Sequence, residues 1–143
     1  MTDNRYRILW LDDDINSPEL EPERDEFSEH DCEVIPAPNP DVFFEKLKDE
    51  ENIGCIIVDL SMPTATSIGF AEAHGGTRTG IAVLRKIKEK DKPIPKVVYT
   101  IVDDDEAKEY CLNNNIIYLH KTEYCADQFV KEIINIIDDN EKN

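Results

Sequence analysis

The feature of this sequence that most constrains its fold is an alternation of short apolar runs with amphipathic segments. The runs are apolar throughout rather than at every second residue, which is typical of strands covered on both faces of a parallel sheet. Five such runs are present, at Tyr6–Leu11, Cys32–Ile35, Cys55–Val58, Lys96–Thr100 and Ile116–His120. Because segments of helical character separate the runs, we predict an α/β fold in which helices cover both faces of a five-stranded parallel sheet.

The segments between the runs differ in helical strength. The last is the clearest, since its apolar residues share one helical face, and they are Ala126, Phe129, Val130, Ile133, Ile134 and Ile137. The first is weak, because Pro18 and Pro22 interrupt its start. We predict the other helices at residues 18–30, after the capping residue Asn39, at Gly80–Lys90 and at Asp103–Leu112.

Length and composition narrow the classes of protein that remain. The 143 residues suffice for one folded unit, so we predict a single domain over residues 1–143. The sequence has neither an apolar run that could cross a bilayer nor a signal-peptide core, so we expect a cytoplasmic protein with no membrane partner. The net charge of −16 repels phosphate backbones and argues against nucleic-acid binding. The four cysteines form no C-x-x-C pair, so we expect neither a zinc site nor a disulfide framework.

Charged and polar residues end or follow four of the predicted strands. In chain order they are Asp12, Asp13, Asp14, Asp59, Thr100 and Lys121. Singly, each has an ordinary explanation as a solvated turn, a helix cap or a surface lysine. Because the carboxyl ends of parallel strands meet at one edge of a sheet, however, we expect the first two aspartates, Asp59, Thr100 and Lys121 to converge on one site.

The chemistry of that group is specific. Three carboxylates close together repel one another and need a cation. Oxygen ligands suit Mg²⁺, which commonly binds together with a phosphate. Asp59 is the central carboxylate and the candidate nucleophile for an aspartyl phosphate. Mg²⁺ would neutralise charge on the transferred phosphoryl group, while Lys121 and Thr100 would bind its remaining oxygens.

Four stretches of the chain resemble the response-regulator receiver family of two-component signalling. They are RILWLDDD, CIIVDLSMP, KVVYT and IIYLHK, spread over residues 7–121. The helical stretch TGIAVLRKIK is similar to the third helix of that family. The resemblance implies a flavodoxin-like (βα)5 fold in which the strands have the order 2-1-3-4-5.

The resemblance also implies a role for each residue of the group. Asp59 would be the phosphoacceptor. The magnesium ligands would be Asp12, Asp13, Asp59 and the backbone carbonyl of Ser61. Thr100 and Lys121 would bind the phosphoryl group, and Thr100 would form a switch with Tyr118. Tyr118 is explained equally well as a core tyrosine whose hydroxyl reaches the surface.

The sequence departs from the family in several places. Thr122 follows Lys121 where the family usually has proline, so Thr122 either relaxes that loop or caps the last helix. Bulky Ile101 follows Thr100, where it would narrow access to the phosphoacceptor. The largest departure is an extended loop at about 64–79, which holds Gly69, Phe70, His74, Gly75, Gly76 and Arg78. A loop of this length is a lid, a partner surface or a disordered insertion.

A phosphoacceptor receiver is the function that these residues favour. A histidine kinase or phosphotransfer protein would supply the phosphoryl group. An unidentified downstream protein would respond, since the last helix ends near Asp138 and leaves no room for an output domain. The protein would catalyse only its own phosphorylation and dephosphorylation.

Two alternatives remain open. One is a receiver-like binding module that does not use phosphate, which the replaced proline, Ile101 and the long loop favour. The other is a phosphohydrolase of the haloacid dehalogenase type, although the nucleophile of that family follows the first strand rather than the third.

Overall fold

The computed structural model describes residues 6–62, 79–87 and 93–142. In this part of the chain five strands form one parallel sheet, and they are β1 (Arg7–Leu11), β2 (Glu33–Ala37), β3 (Cys55–Val58), β4 (Lys96–Thr100) and β5 (Ile117–His120). Their order is β2-β1-β3-β4-β5, which confirms the predicted fold and strand order. Strand β2 lies on one side of β1, and β3, β4 and β5 follow on the other side. The strand order therefore reverses between β1 and β3. The carboxyl ends of β1 and β3 therefore flank the crevice where such sheets bind ligands.

Helices cover both faces of the sheet, as predicted. The described helices are α1 (Glu21–Glu29), α2 (Pro40–Asp49), α3 (Thr79–Lys86), α4 (Asp105–Asn113) and α5 (Ala126–Lys142). Short 3-10 turns at Pro18–Leu20 and Lys121–Glu123 precede α1 and α5. None of the helices in the described residues is long and apolar enough to cross a membrane.

Several predicted boundaries were wrong by a few residues. Strand β2 continues past Ile35 to Ala37, because Pro36 lies in an edge strand, where its missing N–H costs no interior hydrogen bond. Helix α5 continues beyond Asp138 to Lys142. Helix α3 begins at Thr79, and residues 88–90 of its predicted end lie outside the described residues, as do residues 64–78 of the predicted loop.

Side-chain caps fix where two helices begin. The Asn39 side chain accepts a hydrogen bond from the Val42 N–H at 2.9 Å, which confirms the predicted cap of α2. The Asp104 carboxylate accepts from the N–H groups of Glu106 and Ala107. Asp104 therefore remains extended as the cap, and α4 begins after it rather than at Asp103.

The core has two layers because adjacent residues of a strand face opposite sides of the sheet. On one side, Leu9, Leu11, Ile56, Val58 and Val98 pack with residues of α2, α3 and α4, including Phe43, Ile81, Leu84 and Ala107. On the other, Ile8, Trp10, Ile57, Val97 and Tyr99 pack with residues of α1 and α5, including Phe27, Phe129, Val130 and Ile133. Burial of both faces explains why the strands are apolar throughout.

Candidate functional site at the carboxyl edge of the sheet

The described structure brings together side chains from the ends of three strands. Asp12 directly follows β1, Asp59 follows β3 and Lys121 follows β5. The Lys121 Nζ lies 2.8 Å from Asp12 Oδ2 and 3.4 Å from Asp59 Oδ2, so the ammonium bridges the two carboxylates. These residues are 109 and 62 positions apart in sequence, and only the parallel sheet places them in contact.

Burial determines the electrostatics of this cluster. Asp12 is fully buried and Asp59 is 6% exposed. Burial raises the pKa of Asp12, and the nearby charge of Asp59 raises it further, although Lys121 offsets part of the effect. Burial alone would lower the pKa of Lys121, but attraction to Asp59 and Asp12 outweighs burial and the pKa is raised. The edge therefore holds more negative charge than its own lysine neutralises.

One oxygen of Asp59 stands apart from the rest of the cluster. Its Oδ2 contacts Lys121, whereas its Oδ1 is buried and has no hydrogen-bond partner among the described residues. A buried carboxylate oxygen without a partner costs free energy and is uncommon in folded proteins outside functional positions. The Asp59 Oδ1 is therefore the atom in this site most in need of a cation or a covalent partner.

The three consecutive aspartates after β1 form a set of oxygen donors. One carboxylate oxygen of each of Asp12, Asp13 and Asp14 lies within 4.8 Å of the other two. Partial burial raises the pKa of Asp13, and the charges of Asp14 and Asp12 add to that shift. This all-oxygen donor set fits a hard divalent cation such as Mg²⁺, and Asp59 is not among the carboxylates that the structure groups within this distance. Asp14 was not among the predicted ligands, although it continues the same acidic run.

Thr100 and Tyr118 meet at a single peptide segment. Thr100 is fully buried, and its Oγ1 accepts a hydrogen bond from the Val102 N–H at 3.2 Å. The Tyr118 hydroxyl donates to the carbonyl of the same Val102. Burial raises the pKa of Tyr118 to about 12, so this hydroxyl keeps its proton at neutral pH. Sequence reasoning selected both side chains but not the residue that links them.

Comparisons with known proteins identify the fold. No protein-family model and no curated protein matches the chain. A CheY-like response regulator receiver domain protein from Methanospirillum hungatei JF-1 is similar over 95% of this chain and 96% of its own, with a TM-score of 0.67 and 22% identity. One from Clostridium thermocellum is similar over 94% and 96%, with a TM-score of 0.71 and 20% identity. The BeF3-activated receiver domain of DrrB, a Thermotoga maritima protein, is similar over 93% and 97%, with a TM-score of 0.65 and 18% identity.

This chain has the receiver-domain fold. The solved receiver domains cover nearly all of the chain. At these identities the likeness establishes the fold, and the roles of individual residues rest on the geometry of this chain.

Gly80 is a residue of the carboxyl edge that sequence reasoning missed. It lies in the first turn of α3, where its N–H donates to the Leu60 carbonyl at 3.0 Å. A Cβ at this position would lie 2.1 Å from the backbone oxygen of Asp59. Only glycine allows α3 to pack this closely on the backbone of Asp59. The helix-forming pattern after residue 79 gave no sign of this contact.

Tyr99 is a second residue that sequence reasoning missed. The Lys121 Nζ lies 5.8 Å from the centroid of its ring, and its hydroxyl donates to the Glu23 carboxylate at 3.1 Å. The ring also stacks on Phe129 with centroids 3.7 Å apart. Tyr99 therefore connects Lys121 to both α1 and α5.

The structure describes two of the departures from the receiver pattern. Thr122 does not cap α5, because its N–H and hydroxyl both contact the Nδ1 of His120 in the turn after β5. At the start of α5, Gln128 accepts a hydrogen bond from the Cys125 N–H instead. The side chain of Ile101 is 67% exposed and lies largely in solvent. Pro63 and His74 lie outside the described residues.

Proposed function

We propose that this protein is a phosphoacceptor receiver of two-component signal transduction, in which Mg²⁺-dependent phosphorylation of Asp59 switches a partner-binding face. The observation that carries the proposal is the buried, unpartnered Oδ1 of Asp59. It lies at the edge of the sheet where Asp12, Thr100 and Lys121 also end or follow strands. Most buried carboxylate oxygens in folded proteins are paired, so an unpaired one is a reason to look for a functional role.

Phosphorylation would begin with attack of an Asp59 carboxylate oxygen on the phosphorus of a phosphohistidine or a small acyl phosphate. A P–O bond to Asp59 forms as the bond from phosphorus to the donor breaks, and the donor leaves with its electron pair. The Mg²⁺ ligands proposed for this step are Asp12, Asp13, Asp59 and the carbonyl of Ser61, and the ion would neutralise charge on the phosphoryl oxygens. Lys121 is already beside Asp59 and would transfer its contact from Asp12 to a phosphoryl oxygen.

The response to phosphorylation would pass through Val102. If the Thr100 hydroxyl turns to a phosphoryl oxygen, it gives up its contact with the Val102 N–H. The Val102 carbonyl also accepts the hydrogen bond of the Tyr118 hydroxyl, so a shift of Val102 would change the position of the Tyr118 side chain. The altered face would include α4, β5 and α5.

The proposed partners follow from this scheme. A histidine kinase or phosphotransfer protein would donate the phosphoryl group, and a downstream protein would bind the altered face. The chemistry is confined to the protein's own aspartate, so no turnover of a separate substrate is expected.

Binding of beryllofluoride tests the proposal, since BeF3⁻ with Mg²⁺ mimics an acyl phosphate. In amide NMR spectra we expect shifts near Asp59, Thr100 and Tyr118, absent in the Asp59→Asn variant. Asp13→Asn should abolish the Mg²⁺-dependent shifts. Asp14→Asn, the matched control, should only weaken binding.

Two other results would each replace the proposed function. If BeF3⁻ and Mg²⁺ shift no amide in the wild-type protein, the chain is instead a phosphorylation-independent binding module. If it turns over a generic phosphatase substrate and Asp59→Asn abolishes this activity, it is a phosphohydrolase.

A further inference from the structure

We propose that Glu26, His30 and Asp127 form a binding site for a divalent transition-metal ion of the Zn²⁺ class, bridging α1 and α5. One ligand atom from each residue lies within 4.8 Å of the other two. Two of the residues belong to α1 or its C-terminal cap and the third to the first turn of α5. The site uses no residue of the carboxyl edge and does not depend on the proposed function.

The spacing of the first two ligands suits a metal. Glu26 and His30 are four residues apart, so they lie on one face of α1 a turn apart. This is the spacing at which pairs of helical side chains bind zinc. The backbone N–H of His30 donates to the carbonyls of Glu26 and Phe27, and these bonds hold the backbone of His30 against the end of the helix.

Buried neighbours hold the two helices in a fixed relation. Phe27 of α1 and Phe129 of α5 are both fully buried, with ring centroids 5.8 Å apart. Each is next to or close to a proposed ligand in sequence. The separation of the ligands is therefore set by packed rings rather than by mobile loops.

The distances are close to those of a tetrahedral ion. Zinc bonds of 2.0–2.2 Å place neighbouring ligand atoms roughly 3.4 Å apart. The His30 Nε2 lies 3.2 Å from Glu26 Oε2. Asp127 is exposed, and one of its carboxylate oxygens lies within 4.8 Å of the ligand atoms of Glu26 and His30. Water would supply the fourth ligand, as in zinc sites that have three protein ligands.

The donor set distinguishes this site from the carboxyl edge. An imidazole nitrogen favours Zn²⁺ and similar ions, whereas an all-oxygen set favours Mg²⁺. Two contacts compete with the ion. One is the contact of His30 Nε2 with Glu26 Oε2, which an ion would replace. The other is an ion pair between Lys131 and Asp127, at 3.1 Å, in which both side chains are at least half exposed. An exposed pair of this kind stabilises a helix only weakly, so it does not prevent Asp127 from binding an ion.

Zinc titration in the presence of excess Mg²⁺ tests the site, because Mg²⁺ competes for all-oxygen donor sets and leaves a site with an imidazole ligand to zinc. By calorimetry we expect one zinc ion to bind to the full chain with a micromolar Kd. Glu26→Gln, His30→Asn and Asp127→Asn should each weaken binding at least tenfold. The matched controls are His120→Asn, which removes another described imidazole, and Cys125→Ser, which removes the exposed thiol. Both should bind zinc as the wild type does.

A spectroscopic measurement on the wild-type protein covers the case in which a variant fails to fold. Zinc should shift the ring resonances of His30 and leave those of His120 in place. Equal zinc affinity in wild type and folded His30→Asn would overturn the proposal. So would a loss of binding in His120→Asn or Cys125→Ser, or zinc-induced shifts of His120 in place of His30.

Discussion

Replacing Gly80 with alanine tests the close packing of α3 on the backbone of Asp59, directly after β3. The added Cβ would lie 2.1 Å from the Asp59 carbonyl oxygen and 2.9 Å from both the Asp59 carbonyl carbon and the Leu60 Cα. All three neighbours are backbone atoms, so no side chain can rotate away. Because ordinary contacts between such atoms are about 3.5–4.0 Å, α3 must move by more than about 1 Å.

Two opposing effects set the size of the change. Overpacking of this kind typically costs about 1–3 kcal/mol. Alanine favours a helix interior over glycine by about 1 kcal/mol, which offsets part of that cost. Thr79 adds to the steric cost, because its hydroxyl donates a hydrogen bond to the Met62 carbonyl at 2.7 Å and so resists movement of the helix. We expect a net loss of about 2 kcal/mol, or roughly 7 °C in Tm.

Urea unfolding of wild type and Gly80→Ala measures the effect. A matched pair, Arg85→Ala and Arg85→Gly, reports the alanine preference at an exposed position of the same helix. Subtracting that preference isolates the steric cost. If Gly80→Ala is as stable as wild type or more stable, the packing argument is refuted. We also expect the variant to bind BeF3⁻ more weakly, because the backbone of Asp59 must shift.

Three further predictions concern the carboxyl edge, the core and a helix cap. Asp12→Asn should raise the free energy of unfolding of the metal-free protein at pH 7 and remove stabilisation by Mg²⁺. Burial and the charge of Asp59 raise the pKa of Asp12 in the folded state. The stability cost of ionised Asp12 is therefore absent below the ordinary carboxylate pKa of about 3.9 and grows as pH rises through the raised pKa. Urea unfolding of wild type and Asp12→Asn at pH 3.5 and pH 7 checks this, and an equal difference in unfolding free energy between the two proteins at both pH values would contradict the prediction. Iodoacetamide at pH 8 should modify one cysteine of the native protein, Cys125, because the other three thiols are buried and burial raises their pKa values to about 11 or 12; peptide mass spectrometry would show otherwise if a second site reacts before unfolding. Asn39→Ala should lose about 1 kcal/mol by removing the bond to the Val42 N–H, whereas Asn39→Asp should keep most of it; equal stability of the two variants would argue against the cap.

The fold was predictable because its signal is distributed along the whole chain. Strands β3 and β4 have the bounds that their apolar runs predicted. The errors in the predicted boundaries occur where tertiary structure overrides a local sequence preference. Pro36 ended the predicted second strand, yet at a sheet edge proline is tolerated and β2 continues through it.

The candidate site was predictable only as far as strand topology determines it. The carboxyl ends of parallel strands place Asp12, Asp59 and Lys121 together whatever the details of packing. The contacts of Gly80 and Val102 depend on how α3 and the loop after β4 pack, and no sequence pattern encodes those distances. The bridging position of Lys121 between two carboxylates likewise follows from side-chain geometry.

The mass of the intact protein after incubation with acetyl phosphate tests the central claim most directly. With Mg²⁺ present, we predict that wild type gains one phosphoryl group. The same protein with the ion chelated should gain none, and neither should Asp59→Asn with Mg²⁺. Absence of the added mass in wild type, or an equal addition in Asp59→Asn, would contradict the assignment of Asp59 as the phosphoacceptor.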